Sequence, residues 1–187
     1  MRRPPRHEGE GGTALLVVDM LNPYEHEDSE PLAEHVAAAL PGIESLLESA
    51  REAETAVVYV NDNFGDWNSS SEELAERARS GAHPELVEPV LPTDGASFVI
   101  KARHSTFYET PLEYLLDQMG VSRLVLAGQV TEQCILYSAL DAYVRHFQVA
   151  IPTDAVAAIH DHLAEAALEL MERNMRAELC RASDCFP

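Results

Sequence analysis

Short apolar runs alternate with helix-length amphipathic segments along this chain, and that alternation restricts the fold more than any other feature. The runs are 13–18 (TALLVV), 55–60 (TAVVYV), 97–101 (SFVIK), 122–127 (SRLVLA) and 147–151 (FQVAI), with 177–182 (AELCRA) as a sixth, edge strand. Continuous rather than alternating apolar character suits strands covered on both faces. Between them, Leu32, Val36, Leu40, Ile43, Leu46, Leu47 and Ala50 repeat at helical period over 31–53. Pro41-Gly42 interrupts that segment, so the sequence predicts a kink or two helices there. Ser70 and Glu73 form a capping box that opens a polar helix to about Ser80. Residues 81–96, with Pro84, Pro89, Pro92 and Gly95, read as irregular. Thr110 as N-cap, with Pro111 and Glu113 after it, opens a helix that Gly120 stops. A further helix follows the fourth strand as far as about Arg145, and another covers 161–175.

This order implies an α/β fold: one domain of three α/β/α layers around a six-stranded, mostly parallel sheet with right-handed crossovers. The length of 187 residues fits a single domain over 13–187. Residues 1–12 (MRRPPRHEGEGG) read as a disordered tail; they lack the apolar core of a signal peptide. With no apolar run near the ~18 residues of a membrane span, the expected location is cytoplasmic. The formal charge of −19, from 32 acidic against 13 basic residues, disfavours nucleic acid and anionic lipid as partners. Three cysteines in no metal-binding spacing argue against a disulfide framework and a structural zinc site. Cys180 and Cys185 are expected as ordinary reduced thiols.

In parallel sheets ligands bind beyond the carboxyl ends of the strands. After the first strand comes Asp19, after the second Asn61, Asp62 and Asn63, and the third ends in Lys101 with His104 and Phe107 close behind. After the fourth come Gly128, Thr131 and Cys134. A carboxylate, an ammonium and a thiol gathered on one sheet edge supply a base, a cation and a nucleophile. Thr131 as N-cap would put Cys134 in the first turn of a helix, where unpaired N–H groups favour thiolate and can bind an oxyanion. Phe64, Trp67, Phe107 and Tyr108 are candidate walls of a substrate pocket. Trp67, the only tryptophan, lies in a polar loop.

The stretches ALLVVDMLNPY, FVIKARHSTFYETPLEYLL and LVLAGQVTEQCILYSALDAY together resemble the isochorismatase-like cysteine hydrolase superfamily, over about residues 13–182. The resemblance implies a catalytic triad of Asp19, Lys101 and Cys134. It implies a cis peptide bond between Gln129 and Val130, and an oxyanion hole of the Val130 and Cys134 N–H groups. It also implies acyl transfer: Asp19 takes the thiol proton, Cys134 attacks an amide-like carbonyl, and Asp19 later activates water for deacylation. Members that are nicotinamidases carry an Asp and His metal cluster after the second strand. Here that stretch, NDNFGDWNSSS, has no histidine. The expectation is therefore no metal and no other cofactor, a small-molecule substrate, and a homodimer or higher homo-oligomer. Two other readings stay open: isochorismatase-type vinyl-ether hydrolysis with Asp19 as general acid, and a non-catalytic binding or assembly protein on the same fold.

Overall fold

The computed structural model describes residues 11–93 and 96–186. Most of the expected N-terminal tail, residues 1–10, lies outside the described residues, and Gly12 already belongs to the first strand. The strands are β1 (Gly12–Val18), β2 (Ala56–Asp62), β3 (Ser97–Lys101), β4 (Val121–Gln129), β5 (Gln148–Pro152), β6 (Val156–Ala157) and β7 (Glu178–Cys180). The helices are α1 (Ser29–Glu52), α2 (Ser71–Arg79), α3 (Pro84–Val87), α4 (Leu112–Gln118), α5 (Leu136–Val144) and α6 (Asp161–Met175).

The sheet runs β3-β2-β1-β4-β5-β7, with β6 paired to β4. Each of these pairings is parallel. Seven strands replace the expected six. The extra one is the two-residue β6, which follows the turn after Pro152 and pairs with the carboxyl end of β4 at Gly128 and Gln129. A run this short carries no legible apolar period.

Side chains alternate across the sheet at period two. Leu15 and Val17 of β1 join Val36, Ile43 and Leu46 of α1 in one core. Leu16 and Val18 join Leu116 of α4, Ala139 of α5 and Met171 of α6 in the other. Both cores are fully buried at these positions, and each large aliphatic side chain removed from water contributes about 1.5–3 kcal/mol.

Of the two alternatives at Pro41-Gly42, a break into two helices does not occur: α1 runs unbroken through Pro41. Pro41 and Ala37, one turn earlier, both lie on the exposed face, so the carbonyl that the proline leaves without a partner is open to water. Gly42 serves close packing there: a Cβ would stand 2.2 Å from Asp154 O. Within 81–96, Pro84 opens α3, and Pro89 lies in a 3-10 turn (Glu88–Val90). Proline tolerates a first turn because its missing N–H has no partner there anyway. Leu86, Val87 and Val90 are buried by this arrangement.

The capping box of α2 forms, with Glu73 N donating to Ser70 Oγ at 3.2 Å and Ser70 N to Glu73 Oε2 at 2.8 Å. At α4, Pro111 is the N-cap and the helix starts at Leu112, one residue later than expected; Thr110 Oγ1 accepts from Leu112 N at 3.4 Å and donates to Thr106 O at 2.6 Å. No helix among the described residues is long and apolar enough to cross a membrane. Cys180 and Cys185 are free, with their sulfurs 3.2 Å apart.

Candidate active site

The sheet order places β1 between β2 and β4, so the chain winds one way from β1 through β2 to β3 and then returns to the other side of β1. A crevice is expected at such a reversal. Asp19 follows β1, Asp62 ends β2, Lys101 ends β3 and Cys134 follows β4, all at the carboxyl edge.

Asp19 is held in the left-handed region at φ 55°, which is uncommon for a residue with a side chain. Its N–H donates to Val60 O at 2.9 Å, and its carbonyl accepts from Gln129 Nε2 at 2.5 Å. The carboxylate is fully engaged. Oδ1 accepts from Asp62 N at 2.7 Å and Oδ2 lies 2.9 Å from Lys101 Nζ. Gly128 permits this approach of β4 to β1: its φ is 114°, and a Cβ would stand 2.2 Å from Val18 O.

Lys101 is the single lysine of the whole chain, a signal in the sequence that would have singled it out. It is 2% exposed. Besides Asp19, its Nζ reaches Asp62 Oδ2 and Cys134 Sγ, each at 3.6 Å. Burial alone would lower its pKa, but its acidic neighbours, Asp19 foremost, outweigh burial and hold the ammonium above its usual range.

The segment carrying the cysteine is a π-helical turn, Thr131–Ile135, which precedes α5. Single π turns recur at functional sites. Thr131 makes no side-chain cap, contrary to expectation. Glu132 fixes the turn instead: its Oε1 accepts from Ile159 N at 3.0 Å and His160 N at 2.9 Å, tying the turn to the start of α6. The sequence gives no local cue for this contact, which spans 27 and 28 positions. The Gln129–Val130 peptide bond is cis.

The electrostatics of the sulfur differ from the expectation of a resting thiolate. Burial, followed by the negative charge of Asp19, pushes the Cys134 thiol far up, against the opposing effects of Lys101 and the Val130 N–H. Burial also raises Asp19, against the pull of Lys101. The site thus rests as a thiol beside a carboxylate whose proton affinity has been increased, with one ammonium serving both. A carboxylate in that condition is a better base than a free one.

Lys101 and His104 both touch Cys134 Sγ, with His104 Nδ1 at 3.9 Å. The same two residues line a cleft of about 750 Å³ together with Asp62, Phe64, Trp67 and Tyr108. Of the candidate wall residues, Phe64 is half-buried under Arg77, while Trp67 and Tyr108 form an exposed rim at 79% and 56% accessibility. Phe107 is corrected. It points away from the cleft into the core, 5.8 Å from Phe147, with Arg145 over its ring. Among the described residues no group of three or more His, Cys, Asp or Glu is placed to hold a metal ion.

Comparison with known proteins places these features in context. Residues 13–184 match the profile of the Isochorismatase domain. The chain is 36% identical over 166 residues to an uncharacterised isochorismatase family protein of Bacillus subtilis, covering 89% of this chain and 92% of that one. It is 30% identical to maleamate amidohydrolase of Pseudomonas putida, covering 83% and 76%. Among solved structures, N-carbamoylsarcosine amidase of Thermoplasma acidophilum superposes with a TM-score of 0.72 at 25% identity, covering 92% and 98%.

Proposed function

The chain belongs to the isochorismatase family, and from that premise we propose that it is a metal-independent cysteine hydrolase that cleaves a C–N bond of a small amide, lactam or carbamoyl compound. The observation that carries this reading is the meeting of Lys101 Nζ with Asp19 at 2.9 Å and with Cys134 Sγ at 3.6 Å, Lys101 itself lining an open cleft. Similarity to a maleamate amidohydrolase and to an N-carbamoylsarcosine amidase supports amide-type substrates.

In the proposed reaction Asp19 takes the Cys134 proton as the sulfur attacks the substrate carbonyl. Lys101 stays charged and neutralises the developing thiolate. The carbonyl oxygen becomes an oxyanion held by the Val130 and Cys134 N–H groups, where one donor is worth roughly 2.7–4 kcal/mol. Protonated Asp19 then delivers its proton to the leaving nitrogen. The amine departs and leaves an acyl thioester on Cys134, which water hydrolyses. A vinyl ether would need only an acid, and would make no use of a sulfur held against both Lys101 and Asp19.

The test is a screen of primary amides, N-carbamoyl amino acids and lactams, with intact-mass detection of an acyl adduct on Cys134 under single-turnover conditions. Turnover of an amide with such an adduct supports the reading; turnover of isochorismate that survives Cys134→Ala contradicts it. The same reading includes self-association. The α5 face that presents Tyr137, Leu140 and Val144 at helical spacing is 44–55% exposed and apolar. Light scattering that returns a dimer or larger species supports this, and a monomer at micromolar concentration contradicts it.

A further inference from the structure

We propose that Cys180 and Cys185 form a reversible redox-modification site, a dithiol that a low-molecular-weight disulfide oxidises to an intramolecular disulfide in the folded protein. Cys180 ends β7, the edge strand, and Cys185 follows the 3-10 turn Ala182–Asp184. Both thiols are free, and their sulfurs are 3.2 Å apart. Cys185 Sγ donates to Arg181 O at 3.4 Å, so within the pair Cys180 is the donor and Cys185 the acceptor.

Tertiary contacts hold both sides of the pair. Cys180 O accepts from Thr153 N at 3.0 Å, just past the end of β5. Cys185 O accepts from Arg123 Nη1 at 2.8 Å, and the same guanidinium pairs with Glu178 at 3.1 Å. Between them, Ala182 N donates to Asp154 Oδ1 at 2.8 Å, and Ala182 is buried in the core that α1 covers. The sheet and α1 therefore set the sulfur contact, and a bond needs only about 1 Å of further approach. Cys180 is half-buried and Cys185 is 3% exposed, so an incoming disulfide meets Cys180 first. Among the described residues no group of three or more His, Cys, Asp or Glu is placed to hold a metal, so the pair is not part of a metal site. Neither cysteine lines the cleft beside Lys101, and the assignment stands independently of the proposed hydrolysis.

The exchange balances with glutathione disulfide as the oxidant. Cys180 gives up its proton and its thiolate attacks one sulfur of the oxidant. The S–S bond of glutathione disulfide breaks, and one glutathione leaves and takes up a proton. Cys185 then gives up its proton and attacks Cys180 Sγ. The bond from Cys180 to the second glutathione breaks, and that glutathione leaves as a thiol. Two electrons pass from the protein to the oxidant, with no net change in protons.

The test is incubation of the full native chain with glutathione disulfide at mildly alkaline pH, because burial raises both thiols. Peptide mapping without reductant should join Cys180 to Cys185, and dithiothreitol should restore both thiols. Cys185→Ser should instead trap one glutathione on Cys180. In glutathione buffers the native chain should be half-oxidised at a ratio of squared thiol to disulfide at least about tenfold higher than the same chain in concentrated urea, because the fold holds the sulfurs together. Equal ratios with and without urea would overturn the proposal. So would a glutathione that persists on Cys180 of the unsubstituted protein, or a disulfide that joins either cysteine to Cys134.

Discussion

Lys101 Nζ lies 2.9 Å from Asp19 Oδ2, and the two side chains are 1% and 11% exposed. A pair so withdrawn from water is held by its partners rather than by solvent. Removing one member leaves an uncompensated charge, which costs about 3–5 kcal/mol. Lys101→Met is therefore predicted to lower the urea midpoint strongly and to abolish turnover. Asp19→Leu combined with Lys101→Met should recover most of the stability and none of the activity. Equal midpoints for Lys101→Met and the unsubstituted protein would show that the pair is not buried as described.

Cys134 binds its proton more tightly in the folded chain than its ordinary value of 9.0, because of burial and the nearby Asp19 charge. A group whose folded pKa is raised contributes stability that is complete below its unfolded pKa and declines as pH rises above it. Unfolding free energy is thus predicted to fall from about pH 9 upward. Cys134→Ala should lose less over the same range, since Cys180 and Cys185, also raised, remain in both proteins. Parallel urea titrations at neutral and alkaline pH measure this. Identical alkaline losses would remove the proposed electrostatic environment of the sulfur.

The aromatic residues near the cleft divide by exposure. Phe107→Ala removes a core ring and is predicted to cost about 3–5 kcal/mol. Trp67→Ala at the rim should change stability by no more than about 0.5 kcal/mol and act on KM. Thermal melts and steady-state kinetics separate the two. A large loss of stability at Trp67 with unchanged KM would reverse the assignment.

The sequence shows which parts of this site are local and which are tertiary. Asp19, Lys101 and Cys134 are legible because each stands at the end of an apolar run, and a parallel sheet brings such ends to one edge. Phe107 and Tyr108 are neighbours in an irregular segment without a fixed period, so nothing local says which points inward. Glu132 reads as a surface acid until α6 is folded against it, and Gln129 as an ordinary strand end until it meets the Asp19 carbonyl. Pro41 misleads because it and Ala37, whose carbonyl loses its partner, lie on the exposed face, and Pro84 because it stands in a first turn, where a missing N–H has no partner anyway. The sulfur follows the same kind of reason. A turn near a helix start favours thiolate, but burial against a carboxylate outweighs it.

The most direct test of the account is the turnover of Cys134→Ala on the best amide found in the screen, with circular dichroism to establish that the variant is folded. The account predicts a native spectrum and a fall in kcat of at least about 10³-fold, with no acyl adduct by mass. A folded Cys134→Ala protein that hydrolyses the amide at the unsubstituted rate would contradict it.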